Sequence, residues 1–79
     1  LRNPVDFKST LQERLARTGR VVAYEVAAEL GPPHDRIFEV IARVGEEEVG
    51  RGRGRSKKTA EQEAARVALD DLAIVEAAT

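Results

Sequence analysis

A run of basic residues between positions 51 and 58 is the part of this sequence whose residue types and spacing point most directly to chemistry. Arg51, Arg53, Arg55, Lys57 and Lys58 are five of the 13 basic residues in the 79-residue chain, and no acidic residue interrupts them. Basic side chains at this density bind anions, above all rows of phosphate groups. On an extended backbone the three arginines would project from one face at a spacing of about 6 to 7 Å.

The run leads into a predicted helix whose first turn carries an unfavourable charge. Ser56 is a good N-cap, because its hydroxyl can accept a hydrogen bond from a free backbone N–H of the first turn. Lys57 and Lys58 follow in that turn, where the helix dipole favours acids and disfavours each exposed lysine by about 0.3 to 1 kcal/mol. A phosphate row bound from outside would supply the missing negative charge. A solvated charged surface or a disordered Arg-Gly tail are the alternative interpretations, and the helix formers that follow argue against disorder.

Residues that could support catalysis are few, and their spacing is unsuitable. The three glutamates at positions 46–48 are adjacent and cannot all converge on one metal, while Asp70 and Asp71 would point about 100° apart on a helix. His34 is the only histidine and lies in a proline-rich turn. The glycines match neither the Walker A pattern nor the dinucleotide fingerprint. We therefore predict no catalytic activity and no cofactor for this chain.

Length and composition narrow the classes of protein further. A chain of 79 residues forms one small domain, and the absence of cysteine excludes disulfides and thiolate metal sites and suits a cytoplasmic location. No apolar run approaches the roughly 20 residues of a membrane span, and no signal peptide opens the sequence, so we expect no membrane partner. Outside the basic run the chain holds eight basic against 14 acidic residues. The charge is thus segregated, which would direct a polyanion to one surface.

The remaining sequence predicts the elements that position the basic run. Residues 1–5 are interpreted as the end of a linker and residues 6–77 as the domain. Asp6 can cap a helix that runs to about Thr18 and stops at Gly19, with Phe7, Leu11 and Leu15 as its buried stripe.

Alternating apolar residues then predict strands over residues 22–30 and 37–44, separated by a Gly-Pro-Pro-His-Asp loop. A short third strand is predicted over residues 48–52, and a final helix from about residue 56 to 77. The first strand is expected to turn Val22, Tyr24, Val26, Ala28 and Leu30 inward. The second is expected to bury its alternating apolar residues, Phe38, Val40, Ala42 and Val44. This order predicts an α+β fold, α-β-β-β-α, with two helices on one face of a three-stranded antiparallel sheet and a polar second face.

Several segments together resemble a known family. They are residues 6–13 (Asp-Phe-Lys-Ser-Thr-Leu-Gln-Glu), Tyr24, residues 31–34 (Gly-Pro-Pro-His) followed by Phe38, and residues 52–65 (Gly-Arg-Gly-Arg-Ser-Lys-Lys-Thr-Ala-Glu-Gln-Glu-Ala-Ala). In this order they look like the double-stranded-RNA-binding domain that closes bacterial ribonuclease III. The resemblance extends from Asp6 to Leu72 and implies the same α-β-β-β-α fold.

The resemblance also implies how duplex RNA would be bound. In the family, the first helix and the loop after the first strand enter two successive minor grooves, and the start of the last helix crosses the intervening phosphates, a span of about 16 bp. By position, the minor-groove residues would be Ser9, Gln12 and Glu13 in the first helix, and His34 with the backbone of Pro32 and Pro33 in the loop. The phosphates would be held by Ser56, Lys57 and Lys58, and Arg53 and Arg55 would add positive charge.

The parent that the resemblance implies is a magnesium-dependent endoribonuclease, which forms a homodimer through a catalytic domain outside this chain. The alternative from another class is a protein-interaction adaptor of the same fold, in which the basic run is vestigial. The combination of the Ser-Lys-Lys segment and the Gly-Pro-Pro-His loop favours RNA, because an adaptor has no physical need for both. A self-contained phosphohydrolase is the third and weakest interpretation.

Overall fold

Two helices and three strands follow one another in the predicted order. The computed structural model describes residues 6–78, with the side chains of residues 6–72. It contains α1 (Phe7–Ala16), β1 (Val22–Leu30), a short 3-10 helix (Pro33–Asp35), β2 (Ile37–Val44), β3 (Glu47–Gly54) and α2 (Lys57–Ala78). The α-β-β-β-α prediction is therefore confirmed, while the predicted linker at positions 1–5 lies outside the described residues. The largest differences in boundaries are that α1 ends two residues early and that β3 continues two residues further, to Gly54.

The end of α1 shows why the helix is shorter than its sequence pattern. After Ala16 the chain makes tight backbone hydrogen bonds from Thr18 to Leu15 and from Gly19 to Ala16, at 3.0 and 3.1 Å. Gly19 then takes a positive φ of 70°, which favours glycine. Gly19 therefore ends the turn that follows α1, and the helix itself stops at Ala16, before the predicted position.

The sheet is antiparallel in the order β1-β2-β3, and a bulge in β1 changes which residues face the helices. Val26 pairs with Val40, but the next pair is Ala28 with Glu39, so one residue of β1 between them has no partner in β2. Further along the strand, Leu30 pairs with Ile37. One extra residue in β1 reverses the inward and outward sides of the strand beyond it. The prediction that Ala28 and Leu30 face the core is therefore wrong, and Leu30 remains 39% exposed.

The core lies between the helices and one face of the sheet. The predicted stripe of α1 is confirmed, since Leu11 is 0% and Leu15 is 3% exposed. They pack against Ala65 and Ala68 of α2. A second part of the core is made of small and β-branched residues, namely Val40, Ala42, Ala60 and Ala64. Within the described residues, no helix has both the length and the apolar character needed to cross a bilayer.

Candidate nucleic-acid interface

The glycines of the Gly-Arg run form the contact between β3 and α2. A Cβ atom added at Gly50 would lie 2.2 Å from the carbonyl oxygen of Ala64, and one added at Gly52 would lie 2.4 Å from the amide nitrogen of Ala64. At Gly54 the corresponding distance, to the amide nitrogen of Ala60, is 2.7 Å. Any side chain at these positions would push the helix away from the sheet. The alternation of the run therefore serves packing, with the glycines turned towards α2.

Arg51 and Arg53 consequently lie on the opposite face of the sheet, because successive strand residues point to opposite sides. Arg53 Nε donates to Glu39 Oε2 at 3.0 Å, and Arg51 Nη2 donates to Glu48 Oε1 at 2.8 Å. Hydrogen bonding between Glu48 and Arg51 lowers the pKa of the carboxyl and raises the pKa of the guanidinium. The positive charges of both arginines are thus compensated within the sheet.

Other pairs complete this ionic network on the outer face of the sheet. Arg43 Nε donates to Glu25 Oε1 at 2.8 Å, and Arg51 also lies 3.3 Å from Glu39. Ile41 is on the same face, between Glu25 and Arg51 across the strands, yet it is only 5% exposed. Long paired side chains cover such a residue with their aliphatic stems. The predicted polar face therefore contains one buried apolar residue.

The first turn of α2 begins as predicted at Ser56. The Ser56 hydroxyl accepts the Thr59 backbone N–H at 3.0 Å and donates to the Thr59 hydroxyl at 2.9 Å. Lys57 and Lys58 follow in an exposed first turn that contains no acidic residue. Neither lysine forms an ion pair with any residue whose side chain is described. Two positive charges thus lie at the positive end of the helix dipole, available to an incoming anion.

The loop between β1 and β2 lies beside this turn. Gly31 adopts a φ of 85°, and a Cβ there would lie 2.7 Å from the carbonyl oxygen of Asp35, so the tight loop requires glycine. Pro32 accepts the Asp35 N–H at 3.0 Å through its carbonyl, which closes the 3-10 turn that carries His34. The exposed Pro33 and His34 form the tip of the loop.

The loop and the segment before α2 enclose a cleft of about 390 Å³. Its lining residues are Pro33, His34, Asp35, Arg36, Phe38 and Arg55. Arg55 Nη1 lies 3.6 Å from Asp35 Oδ1, and the Lys57 ammonium lies 5.9 Å from the centre of the Phe38 ring. The structure therefore brings His34, Arg55 and Lys57 together at one end of the sheet, while Arg53 lies apart from them.

The predicted minor-groove residues of α1 differ in how far their polar atoms are already used. Ser9 donates its hydroxyl to Asp6 Oδ2 at 2.7 Å, so that only its acceptor positions remain. Gln12 accepts the Val22 N–H at 3.2 Å and donates to the Arg20 carbonyl at 3.3 Å, which links α1 to the start of β1. Glu13 is exposed. Of the three side chains, that of Glu13 is therefore the least engaged in hydrogen bonds within the described part of the domain.

A residue without a predicted role, Gln62, connects the two helices. Its Oε1 accepts the Phe7 N–H and its Nε2 donates to Asp6 Oδ1, both at 2.8 Å. Gln62 was part of the motif that carried the family resemblance, but only its spacing of four residues from Lys58 could have suggested a place on the same face of α2.

The chemistry of the site is that of binding. Within residues 6–72, no three histidine or acidic side chains are placed so that they could hold a metal ion. The available groups are exposed cations, a histidine at a loop tip and a polar helix face. These groups suit an elongated polyanion that contacts α1, the β1–β2 loop and the start of α2.

Relatives identify the family to which this arrangement belongs. Residues 7–72 match the family described as "Double-stranded RNA binding motif". The "Ribonuclease 3" of Latilactobacillus sakei subsp. sakei (strain 23K) is 50% identical over 68 residues, which is 85% of this chain and 30% of that protein. The "Ribonuclease 3" of Streptococcus pneumoniae (strain Hungary19A-6) is 48% identical over 66 residues, 82% of this chain and 28% of that protein. The chain thus spans less than a third of the length of these relatives.

Solved structures show the same architecture. Arabidopsis HYL1, from a study of its molecular implications for miRNA processing, superimposes with a TM-score of 0.74 at 34% identity, over 85% of this chain and 96% of that one. Dicer from Pichia stipitis superimposes with a TM-score of 0.69 at 31% identity, over 82% of this chain and 32% of that one. With the match over residues 7–72, these likenesses establish that the chain belongs to the double-stranded-RNA-binding domain family.

Proposed function

We propose that this domain binds duplex RNA by shape and serves as the substrate-binding part of a ribonuclease III. Ser9, Gln12 and Glu13 of α1 face one minor groove, and His34 with Pro32 and Pro33 faces the next. Ser56, Lys57 and Lys58, assisted by Arg55, bind the phosphates between the two grooves. The observation that carries the proposal is the pair of uncompensated lysines in the first turn of α2, beside the loop that carries His34.

The contrast between the two sides of the sheet supports this assignment. Arg43, Arg51 and Arg53 are each held by a carboxylate on the outer face. Lys57 and Lys58 have no such partner among the described side chains. An external polyanion is attracted most strongly where positive charge is not already neutralised, so the RNA would approach the start of α2.

The parent protein in this proposal is cytoplasmic, forms a homodimer through a separate catalytic domain, and cleaves RNA with magnesium held by that domain. The relatives named ribonuclease 3 support a catalytic parent, since this chain spans less than a third of their length. This chain contributes binding and orientation of the duplex. Magnesium would act only on residues outside it.

A titration with matched nucleic acids tests the binding function. The purified chain is titrated with a 20-bp RNA duplex, the DNA duplex of the same sequence and one RNA strand, each at two salt concentrations. We expect the RNA duplex to bind tightest, because only A-form RNA offers 2′-hydroxyls in a wide, shallow minor groove. Equal affinity for the three would refute recognition by shape, and no binding at either salt concentration would favour the adaptor function.

Glu13 provides the sharper variant for the same titration. On a purely electrostatic basis, Glu13→Ala would improve binding to every nucleic acid, whereas a carboxylate that accepts a hydrogen bond from a 2′-hydroxyl favours RNA alone. We expect Glu13→Ala to weaken RNA binding and to leave the weak DNA binding equal or slightly stronger. Glu46→Ala, in the turn between β2 and β3, is the control for removing one negative charge. Equal improvement of RNA and DNA binding would contradict the proposed placement of α1 in a minor groove.

A further inference from the structure

The side-chain amide of Gln62 uses both of its ends to hold the beginning of α1. The carbonyl end accepts the Phe7 backbone N–H, and the amino end donates to the Asp6 carboxylate, each at 2.8 Å. The bond from Gln62 is the main reason why the pKa of Asp6 is lowered to about 2, with the bonds from Ser9 adding to it. Beside it, Lys8 of α1 forms an ion pair with Glu61 of α2.

Asp6 is also the N-cap of α1, so the contact from Gln62 fixes the helix at its origin. Asp6 Oδ1 accepts the Ser9 N–H at 3.2 Å in addition to the bond from Gln62. With the Ser9 hydroxyl, the Asp6 carboxylate accepts three bonds, two from within α1 and one from α2. Because hydrogen bonds are directional, these bonds at Asp6 restrict both the position and the orientation of the α1 axis.

The rest of the contact between the helices restricts them less. Leu11 and Leu15 pack against the small side chains of Ala65 and Ala68. Apolar packing of this kind is non-directional, so it restricts the orientation of the helices less than hydrogen bonds do. The bonds of Gln62 therefore add directional restraint at the N-terminus of α1, as those of Gln12 do where α1 meets the start of β1.

Gln62 also lies close to the residues that would bind phosphate. It follows Lys58 by four residues, which places the two on the same side of α2 and about 6 Å apart along its axis. The same stretch of α2 therefore carries both the phosphate-binding lysine and the contact that holds α1.

We propose that Gln62 is a positioning residue for duplex recognition, which fixes α1 at the distance and angle from the start of α2 that A-form RNA requires. This inference rests on the proposed function, in which α1 reads a minor groove and α2 binds the adjacent phosphates. Recognition by shape needs these two elements at a constant separation, since a displaced α1 reaches the groove only in a fraction of the molecules. The apparent affinity falls in proportion to that fraction.

The first test is Gln62→Ala, measured against a 20-bp RNA duplex and its DNA counterpart well below the melting temperature. We expect RNA affinity to fall by about threefold to tenfold, since two hydrogen bonds of ordinary strength are lost while other contacts still hold α1. DNA binding through the lysines should stay within about twofold of the wild type. Lys58→Ala is the contrasting control, because it should weaken RNA and DNA alike. A purely structural role for Gln62 would leave the RNA-to-DNA ratio unchanged.

The second test exchanges the bonding partners in two steps, and the double variant at the end has the net charge of the wild type. In Gln62→Glu the new carboxylate can still accept the Phe7 N–H but repels Asp6, so RNA affinity should fall. Adding Asp6→Asn removes the repulsion and lets the asparagine NH2, at the position of Asp6 Oδ1, donate to the new glutamate, while its carbonyl oxygen can still accept the Ser9 hydroxyl as Asp6 Oδ2 does. We expect the double variant to regain RNA affinity and a higher RNA-to-DNA ratio over Gln62→Glu, short of the wild type because the Ser9 N–H loses its acceptor Oδ1.

The outcomes separate the inference from the function on which it rests. A wild-type chain that does not prefer the RNA duplex would contradict the proposed function itself. A wild-type chain that prefers RNA, with an unchanged RNA-to-DNA ratio in Gln62→Ala, would overturn the positioning role. If Gln62→Ala fails to fold, the exchange of bonding partners provides the test. A folded double variant that regains neither RNA affinity nor RNA-to-DNA ratio over Gln62→Glu would also overturn the positioning role.

Discussion

Lys58→Ala and Arg53→Ala each remove one positive charge from the same basic run, but from two different surfaces. Lys58 is exposed in the first turn of α2, where no acidic residue accompanies it. Arg53 lies on the outer face of the sheet and donates to Glu39 at 3.0 Å. Both residues are predicted from the sequence to contact RNA. Their different surroundings lead us to expect a loss of affinity for Lys58→Ala alone and opposite effects of the two variants on stability.

The expected size of the effect on binding follows from counterion release. Each phosphate contact contributes about 0.9 to the magnitude of the slope of log affinity against log salt. Its contribution to affinity at 0.1 M salt is therefore about eightfold relative to 1 M salt. Lys58→Ala should lose roughly that much affinity for RNA and DNA duplexes alike. The magnitude of its salt slope should fall by about 0.9, the contribution of one phosphate contact. Arg53→Ala should change RNA affinity by less than about twofold and leave the slope unaltered, because distant exposed charges are screened.

The effects on stability should run the other way. Lys58→Ala removes a cation from the positive end of the helix dipole, a gain of about 0.3 to 1 kcal/mol. At about 4 to 8 °C per kcal/mol for a domain of this size, its melting temperature should rise by a few degrees. Arg53→Ala takes one of two arginine partners from Glu39, whose side chain is only 14% exposed. A loss of about 0.2 to 1 kcal/mol should then lower the melting temperature by a few degrees.

Fluorescence anisotropy with labelled RNA and DNA duplexes at three or four salt concentrations measures the affinity and its salt slope. Thermal unfolding of the free domain measures the melting temperature. Equal losses of affinity and of salt slope for the two variants would show that Arg53 reaches a phosphate. The assignment of Arg53 to the sheet face would then be refuted. A lower melting temperature for Lys58→Ala, with its slope intact, would show that Lys58 is structural.

Three further variants test other features of the structure. Gly52→Ala should cost about 1 to 3 kcal/mol of unfolding free energy or more in urea denaturation, because the new Cβ would lie 2.4 Å from the backbone nitrogen of Ala64; full stability would show that α2 shifts easily. Asp35→Asn should tighten RNA binding by about twofold to fivefold at low salt, because it frees Arg55 from an exposed ion pair at 3.6 Å, and weaker binding would contradict this. Burial and the nearby charges of Glu61 and Asp6 raise the pKa of Tyr24 to about 12, so the unfolded chain loses this proton first and stability should fall as the pH rises from about 10 to 12. Tyr24→Phe should reduce that fall in a pH series of melting temperatures, and an unchanged pH dependence would exclude Tyr24 as a contributor.

The sequence alone determined the order of the elements and most of the core. The spacing of Phe7, Leu11 and Leu15 reports one buried helix face, and the Ser56 cap with its lysines marks the start of α2. These signals are local, because periodicity and capping depend on residues within one or two turns of each other. The same locality made the loop at Gly31 and the turn at Gly19 recognisable.

Only the tertiary structure decided which surface each side chain occupies. The bulge before Ala28 reverses the faces of β1 because of how that strand pairs with β2, and the glycines that separate Arg51 and Arg53 are explained by contact with α2. Gln62 meets Asp6 across 56 positions of sequence. Such features depend on residues brought together by folding, so no pattern of neighbouring residues could reveal them. The basic run, continuous in sequence, is for this reason divided between a neutralised sheet face and an open helix start.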